Sequence, residues 1–465
     1  MNAAHLSLAE HAARLRRREL TAVALIDACA QNHARTEPRL NAYKTWDGAR
    51  ARTAAAAVDT LLDQGMDLGP LMGLPVSVKD LYGVPGLPVF AGSDEALPEA
   101  WQAAGPLVAR LQQQLGIVVG KTHTVEFAFG GLGVNAHWGT PWNPWSPHEH
   151  RVPGGSSAGA GVSLVQGSAL LALGTDTAGS VRVPASMTGQ VGLKTTVGRW
   201  SIEGIVPLSS SLDTAGLLTR TVEDLAYAFA ALDPEHDEHQ GLPGPAPTRL
   251  QGLRIGMPTN HFWDDIDPSI AATVETAIER LAQAGARVVR LPLPHCEEAF
   301  DIFRRGGLAA SELAAYLDLH FPHKVERLDP VVRDRVRWAE QVSSVEYLRR
   351  KAVLQRCGAG AARVFDGVDV LLTPTVPASP PRLADIGTVE TYAPANMKAM
   401  RNTTISNLFG WCALTMPVGL DANRMPVGLQ LMGPPRAEAR LIGIALGIEN
   451  LIGQGHALLG APDLA

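Results

Sequence analysis

Two glycine-rich segments that contain serine are the part of this sequence best suited to nucleophilic chemistry. The first is PGGSSAGAG at residues 153–161, and the second is GTDTAGSVRVPAS at residues 174–186. A serine hydroxyl is a weak nucleophile at neutral pH unless a base takes its proton. Neither segment contains a histidine, so the proton of Ser156, Ser157 or Ser180 must pass to another kind of base.

Lys79 is a candidate for that base because it lies near the end of the apolar stretch GLPVSVKD, residues 73–80. Burying an ammonium group is costly unless it is paired or loses its proton. Desolvation lowers the pKa of a lysine, and a neutral lysine accepts a proton. The alternative is an ordinary lysine whose charged end reaches water.

The second segment follows the apolar run ALLAL, so it begins where a buried element ends. The consecutive backbone N–H groups of Thr177, Ala178, Gly179 and Ser180 could point at one oxygen atom and form an oxyanion hole. The alternative is a turn with no catalytic role.

Residues 155–159 also match G-x-S-x-G, the nucleophile elbow of α/β-hydrolases, in which Ser157 would attack. That elbow needs a strand directly before it, whereas residues 143–153 read NPWSPHEHRVP, with three prolines. The pattern favours a glycine-rich turn that opens a helix from Ala158 to about Gln166. An esterase that uses Ser157 remains an alternative.

The two segments together resemble the amidase signature family. Four further stretches carry the resemblance, which covers about residues 20–455: GKTHTVEFA from Gly120, GLKTTVGR from Gly192, SLDTAG from Ser211 and PVGLQLMG from Pro426. The resemblance implies a Ser–Ser–Lys triad with Ser180 as nucleophile, Ser156 as a bridging serine on a cis peptide bond, and Lys79 as general base. Ser–Lys pairs replace Ser–His–Asp on unrelated folds.

The resemblance also implies supporting positions. Asp176 and Arg182 flank Ser180 and form a buried pair that fixes its loop, and Ser157 hydrogen-bonds within the network rather than attacking. A further segment borders the acyl pocket and binds substrate: Ala128, Phe129, Gly130 and Gly131. The chain departs from the commonest family pattern at Ala178, whose methyl group occupies space beside the reacting carbon.

The expected reaction is hydrolysis of C–N bonds in amides or amide-like carbamates (urethanes) through an acyl-enzyme on Ser180. Trp138, Trp142 and Trp145 either line an apolar entrance suited to anilides and carbamates or hold their loop in place. One alternative is an amidotransferase subunit that works with partner chains and binds glutamine through Arg304, Arg305 or Arg401. Another is a non-catalytic binding protein that keeps the fold.

The elements around these segments predict an α/β fold with a mixed central β-sheet surrounded by helices. We expect a single domain over residues 1–465, a signature core at about 70–230 and a helical substrate-pocket insertion at about 297–365. The region from Pro234 to Pro247 reads as an exposed linker or loop.

Composition argues for a small-molecule substrate. The 465 residues carry a net charge of −6, which gives no reason to expect nucleic-acid binding. Residues 162–173 are too short and too polar to span a bilayer, and the N-terminus lacks a signal-peptide pattern. We therefore expect a cytoplasmic protein with no cofactor, no metal and no membrane partner.

The histidines of the HEH stretch do not indicate a metal site, because His148 and His150 lack a third metal ligand. A homodimer is one possible assembly.

Overall fold

The computed structural model describes residues 6–235 and 245–464, and these residues form an eleven-stranded sheet. The strands, in chain order, are β1 Tyr43–Trp46, β2 Pro75–Lys79, β3 Ile117–Thr122, β4 Leu171–Asp176, β5 Val191–Lys194, β6 Thr214–Thr219, β7 Arg254–Pro258, β8 Arg287–Leu291, β9 Val370–Pro374, β10 Cys412–Leu420 and β11 Pro426–Gly433.

The sheet is mixed, with the strand order β1-β3-β2-β4-β6-β5-β10-β11-β9-β7-β8. Strand β2 pairs in parallel with both β3 and β4, whereas β4–β6, β6–β5, β5–β10 and β10–β11 are antiparallel. The predicted fold class, a mixed central sheet surrounded by helices, is confirmed.

Helices cover the sheet. Within the described residues they are α1 Leu8–Arg16, α2 Ala22–Leu40, α3 Gly48–Asp63, α4 Pro106–Gln113, α5 Ala158–Gln166, α6 Arg182–Thr188, α7 Val222–Leu232, α8 Pro268–Gln283, α9 Cys296–Arg304, α10 Ala309–His320, α11 Pro330–Ala339, α12 Ser344–Ala361, α13 Val389–Leu408, α14 Glu438–Ile452 and α15 Gly455–Leu459.

The central strands are buried along their whole length. Every residue of β2, β4, β6, β9 and β11 is buried, as expected when helices pack on both faces of a sheet. Polar side chains on these strands therefore lie out of water and need partners within the protein. Lys79 at the end of β2 and Asp176 at the end of β4 are two such residues.

Four helices, α9 to α12, occupy most of residues 296–361, so the helical content expected for residues 297–365 is confirmed. Part of the expected linker between Pro234 and Pro247, residues 236–244, lies outside the described residues. Among the described helices, none is long and apolar enough to cross a membrane.

Candidate active site

Lys79 is the last residue of β2, and its side chain is fully buried. Its Nζ lies 2.8 Å from Ser156 Oγ and 2.7 Å from Thr175 Oγ1. Burial lowers the pKa of Lys79 to about 7, and the negative charges of Asp213 and Asp176 oppose that shift. The amine is therefore poised to accept or release a proton near neutral pH.

Ser156 lies in the turn before α5, where the Gly155–Ser156 peptide bond is cis. No strand precedes this turn: residues 152–155 lack regular structure, and α5 begins at Ala158. The geometry of a nucleophile elbow is therefore absent from this described segment. Ser157 instead donates from its Oγ to the carbonyl oxygen of Thr175 at 3.3 Å.

Ser180 lies between β4 and α6, and its side chain lines a cavity. The two serine segments touch here, because the Ser157 N–H donates to the Ser180 carbonyl oxygen at 3.2 Å. Among the described residues, no hydrogen bond joins Ser156 Oγ to Ser180 Oγ, whereas the Lys79–Ser156 bond is formed. One of the two links in the expected proton relay is thus present.

The expected set of four oxyanion donors is wrong at one position. The Gly179 N–H donates to Asp176 Oδ1 at 2.8 Å, so it is not free to bind a substrate oxygen. In the described part of the chain, the N–H groups of Ala178 and Ser180 have no hydrogen-bond partner. The neighbouring Thr177 donates from its Oγ1 to Asp213 Oδ1 at 2.5 Å.

The pair of Asp176 and Arg182 holds the loop that carries Ser180. Both side chains are fully buried, and Arg182 Nη2 lies 3.0 Å from Asp176 Oδ1. Asp176 also accepts from the backbone N–H groups of Gly179 and Val181. The guanidinium of Arg182 keeps the pKa of Asp176 far below its usual range despite burial. The loop before α6 therefore closes around one ionised carboxylate.

Asp213 is a site residue to which sequence reasoning gave no role, although its motif SLDTAG was noted. Its Oδ2 accepts from the N–H groups of Leu208 and Ser209 at 2.9 and 3.0 Å. Burial raises the pKa of Asp213 to about 6, and the charge of Lys79 acts in the opposite direction. The buried carboxyl of Asp213 and the buried amine of Lys79 therefore influence each other's titration.

The cavity beside Ser180 has a volume of about 370 Å³. The segment 128–130 forms one wall together with Thr177 and Ala178, and the stretch 303–310 lies on another side. Leu208 and Leu212 also line the cavity. Helices α11 and α13 supply the rest of the lining through Val331, Asp334, Arg335, Trp338, Val389, Ala393, Asn396, Met397 and Met400. Helix α13 was not expected here.

One expectation about the cavity walls needs correction, and the structure favours one of the two alternatives for the loop tryptophans. Gly131 does not line the cavity, and its N–H donates to Oδ1 of the lining residue Asn396 at 2.7 Å. Trp138, Trp142 and Trp145 also do not line it. Their indole N–H groups bind backbone oxygens of Ser93, Ser146 and Thr188, so they hold their loop in place.

Charged side chains make this otherwise apolar cavity distinctive. Arg304, Arg305 and Arg335 all line it, with Asp334 as the acid among the lining residues. The first two arginines both pair with Asp301. Arg335 donates from its Nη1 to the Phe129 carbonyl oxygen at 2.9 Å and stacks on the Phe129 ring. Arg401, an earlier candidate for a substrate cation, does not line the cavity.

Potential metal ligands lie elsewhere. Within residues 6–235 and 245–464, the group that could hold a metal ion is His295, Glu298 and Cys357. None of these three residues lines the cavity next to Ser180.

The sequence matches a model of the Amidase family over residues 24–442. The 2-amino-5-chloromuconic acid deaminase of Comamonas testosteroni is 93% identical over 464 residues, which cover 100% of both chains. An amidase of Pseudomonas putida is 34% identical over 459 residues, which cover 96% of each chain. The crystal structure of an amidase superposes with a TM-score of 0.86 at 29% identity and covers 96% of this chain and 100% of that one.

Proposed function

Because this chain belongs to the amidase (amidase signature) family and is a hydrolase acting on C–N bonds, we propose that Ser180 attacks the carbon that carries the nitrogen. Ser156 passes the proton of Ser180 to Lys79, which is neutral in part near pH 7. The bond between Lys79 Nζ and Ser156 Oγ supports this path. Binding of substrate would bring Ser156 and Ser180 into contact, since such bonds often tighten only in the complex.

The substrate we propose is a conjugated amino dicarboxylate of the 2-amino-5-chloromuconic acid type. The relative that acts on this compound by name is 93% identical over the whole chain. The reaction is hydrolytic: water replaces nitrogen at C2, and the products are ammonia and a 2-oxo acid or its enol. Oxidation states balance without a cofactor.

The covalent steps follow from the imine tautomer of that substrate, in which C2 is electrophilic. Ser180 Oγ adds to C2, its proton passes through Ser156 to Lys79, and Lys79 gives it to the nitrogen, which becomes an amine. The amine takes a second proton from water, the C2–N bond breaks with its electron pair, and ammonia leaves an oxocarbenium carbon at C2. Water adds to C2 and loses a proton, which replaces the second one, and the hemiketal then collapses: the bond from C2 to Ser180 Oγ breaks and the remaining hydroxyl proton returns to Ser180. An amide would follow the same path through an acyl-enzyme.

The observation that carries the choice of substrate is the set of three cavity arginines. A dicarboxylate presents two anionic ends, and arginine binds carboxylates through paired N–H donors. Of the three, Arg335 is the best candidate to bind a substrate carboxylate, because Arg304 and Arg305 already pair with the acid Asp301. The main chain of Phe129 fixes one face of the Arg335 guanidinium, which limits the entropy lost on binding.

The apolar part of the cavity would accept the diene and its chlorine. Phe129, Met400 and Trp338 lie on different walls of it. We propose that residues 297–365 act as the pocket-forming insertion, since the stretch 303–310 and helix α11 supply two of its sides. Neutral amides and carbamates would react at the same serine but lack partners for the arginines.

The proposal is tested by incubating the purified full-length chain with 2-amino-5-chloromuconate, a neutral anilide, a carbamate and glutamine. Ammonia is quantified, and carbon products are identified by mass spectrometry. We expect one ammonia per molecule of the aminomuconate and much slower turnover of the neutral compounds. Faster turnover of glutamine or of the anilide than of the aminomuconate would show that the proposed substrate is wrong.

A further inference from the structure

Three potential metal ligands of different chemistry converge beside the start of α9. His295 Nδ1 lies 3.4 Å from Glu298 Oε2, and Cys357 Sγ lies 3.3 Å from the same oxygen. One ligand atom of each residue lies within 4.8 Å of the others. Ligand atoms around a tetrahedral zinc ion are separated by about 3.3–3.8 Å, so these side chains need only a small closure to share one ion.

The fold brings the three residues together from two helices. His295 directly precedes α9 and has a left-handed backbone with φ of 67°, Glu298 lies within the first turn of α9, and Cys357 is on α12. Gly360 leaves the space that the imidazole needs, because a Cβ at that position would lie 2.8 Å from His295 Nε2. With the Nε2 side of the ring next to Gly360, Nδ1 faces the Glu298 carboxylate.

The other oxygen of Glu298 is already bound. Arg356 on α12 donates to Glu298 Oε1, which leaves Oε2 for the shared centre. Cys357 is buried, whereas the side chain of Glu298 is 44% exposed. The centre is therefore closed on the thiol side and open to solvent on the carboxylate side, where water can complete four-coordination.

We propose that His295, Glu298 and Cys357 bind a borderline divalent cation of the Zn²⁺ class. Thiolate and imidazole ligands select zinc over magnesium and calcium, which prefer oxygen. In forming the site, the Cys357 thiol loses its proton to solvent, and the imidazole keeps its single proton on Nε2. The thiolate and the carboxylate supply two negative charges to the centre, and Arg356 stays paired with the outer carboxylate oxygen.

The ion would act on the wall of the substrate cavity without touching substrate. Phe303 and Arg304 at the end of α9 line that cavity, and Arg350 on α12 donates to the carbonyl oxygens of Arg305 and Gly307. The proposed ion would join the start of α9 to α12. Together with the contacts of Arg350, this second connection would stabilise the stretch 303–310. We expect zinc to raise the thermal stability of the folded chain.

The test uses Cd²⁺ as a spectroscopic probe, titrated into the metal-free full-length protein under a reductant that does not bind metals. We expect a thiolate-to-metal charge-transfer band that saturates at one equivalent and is absent in Cys357→Ser. The half-buried imidazole gives a second variant: His295→Ala should weaken Cd²⁺ binding by at least about tenfold, with thermal unfolding followed to check the fold. Cys29→Ser removes another buried thiol, on α2, as the matched control.

Three results would overturn the site. One is a wild-type protein without a charge-transfer band at equimolar Cd²⁺, the second is a band that survives in Cys357→Ser, and the third is a band that persists at full affinity in His295→Ala. The variant with both His236 and His239 replaced by alanine should bind Cd²⁺ with the same charge-transfer band and affinity as wild type, because these histidines are not ligands in the proposed site.

Discussion

The Nζ of Lys79 lies 2.8 Å from the Oγ of Ser156, and both side chains are fully buried. A lysine in water is protonated at neutral pH and cannot act as a base. Here burial lowers its pKa to about 7, so a substantial fraction is neutral under ordinary assay conditions. The contact therefore joins a hydroxyl to an amine that can take its proton.

The pH dependence of turnover follows from this pair. Since Lys79 must be neutral to accept a proton, kcat/KM should rise with pH through about 7 and fall about tenfold per pH unit well below it. The measurement is an initial-rate profile from pH 5 to 9 with ammonia as the readout. A flat profile, with chemistry shown to be rate-limiting by a burst experiment, would contradict the role of Lys79.

The charge of Asp213 should affect the pH at which kcat/KM rises. Its negative charge raises the pKa of Lys79 and so opposes the effect of burial. Asp213→Asn removes the charge and keeps an amide oxygen for the N–H groups of Leu208 and Ser209. The rising limb of the pH profile should therefore move to lower pH, with thermal unfolding followed to check the fold. A limb that stays in place would show that Asp213 and Lys79 are not coupled, and a limb that moves to higher pH would contradict the expected sign of the coupling.

Arg335 should govern recognition of an anionic substrate. Arg335→Gln removes a charge-assisted contact worth about 1.5–3 kcal/mol, so kcat/KM for the aminomuconate should fall roughly tenfold to a hundredfold. Turnover of a neutral anilide should change little. Arg337→Gln on the same helix is the matched control, because Arg337 pairs with Glu326 and does not line the cavity. Equal losses on both substrates would argue against a carboxylate partner.

Ala178 should affect substrate preference more than reactivity. Its backbone does not have a positive φ, so the methyl group causes no backbone strain, and it lines the cavity. Ala178→Gly adds space beside the reacting carbon, and the ratio of kcat/KM between bulky and small substrates should rise. Labelling of Ser180 by a fluorophosphonate should persist. Unchanged ratios across a substrate series would mean that the methyl group has no role in selection.

The serine segments and the family could be predicted from sequence because their residue types are tied to local geometry. Small residues around Ser156 and Ser180 permit tight turns before α5 and α6, and these helices begin where the glycine-rich turns end. The mixed sheet also followed from the order of helical and apolar segments. The roles of Lys79, Ser156 and Ser180 remain predictions.

The cavity walls could not be predicted in this way. Residues 389, 393, 397 and 400 repeat at helical spacing, which indicates one face of α13, but the pattern does not say that this face meets Ser180. The loop tryptophans were ambiguous, since an indole can line a pocket or bind main chain. The Gly179 N–H was predicted to bind a substrate oxygen, but Asp176, three residues earlier, accepts its hydrogen bond instead.

The most direct test compares ammonia release from the aminomuconate by wild type, Ser180→Ala and Ser157→Ala, with fold verified by thermal unfolding. Loss of the nucleophile should reduce kcat by at least about a thousandfold. Ser157→Ala loses only a long hydrogen bond to Thr175 and should stay within about tenfold of wild type. The account predicts an inactive Ser180→Ala beside an active Ser157→Ala, and an active Ser180→Ala beside an inactive Ser157→Ala would contradict it.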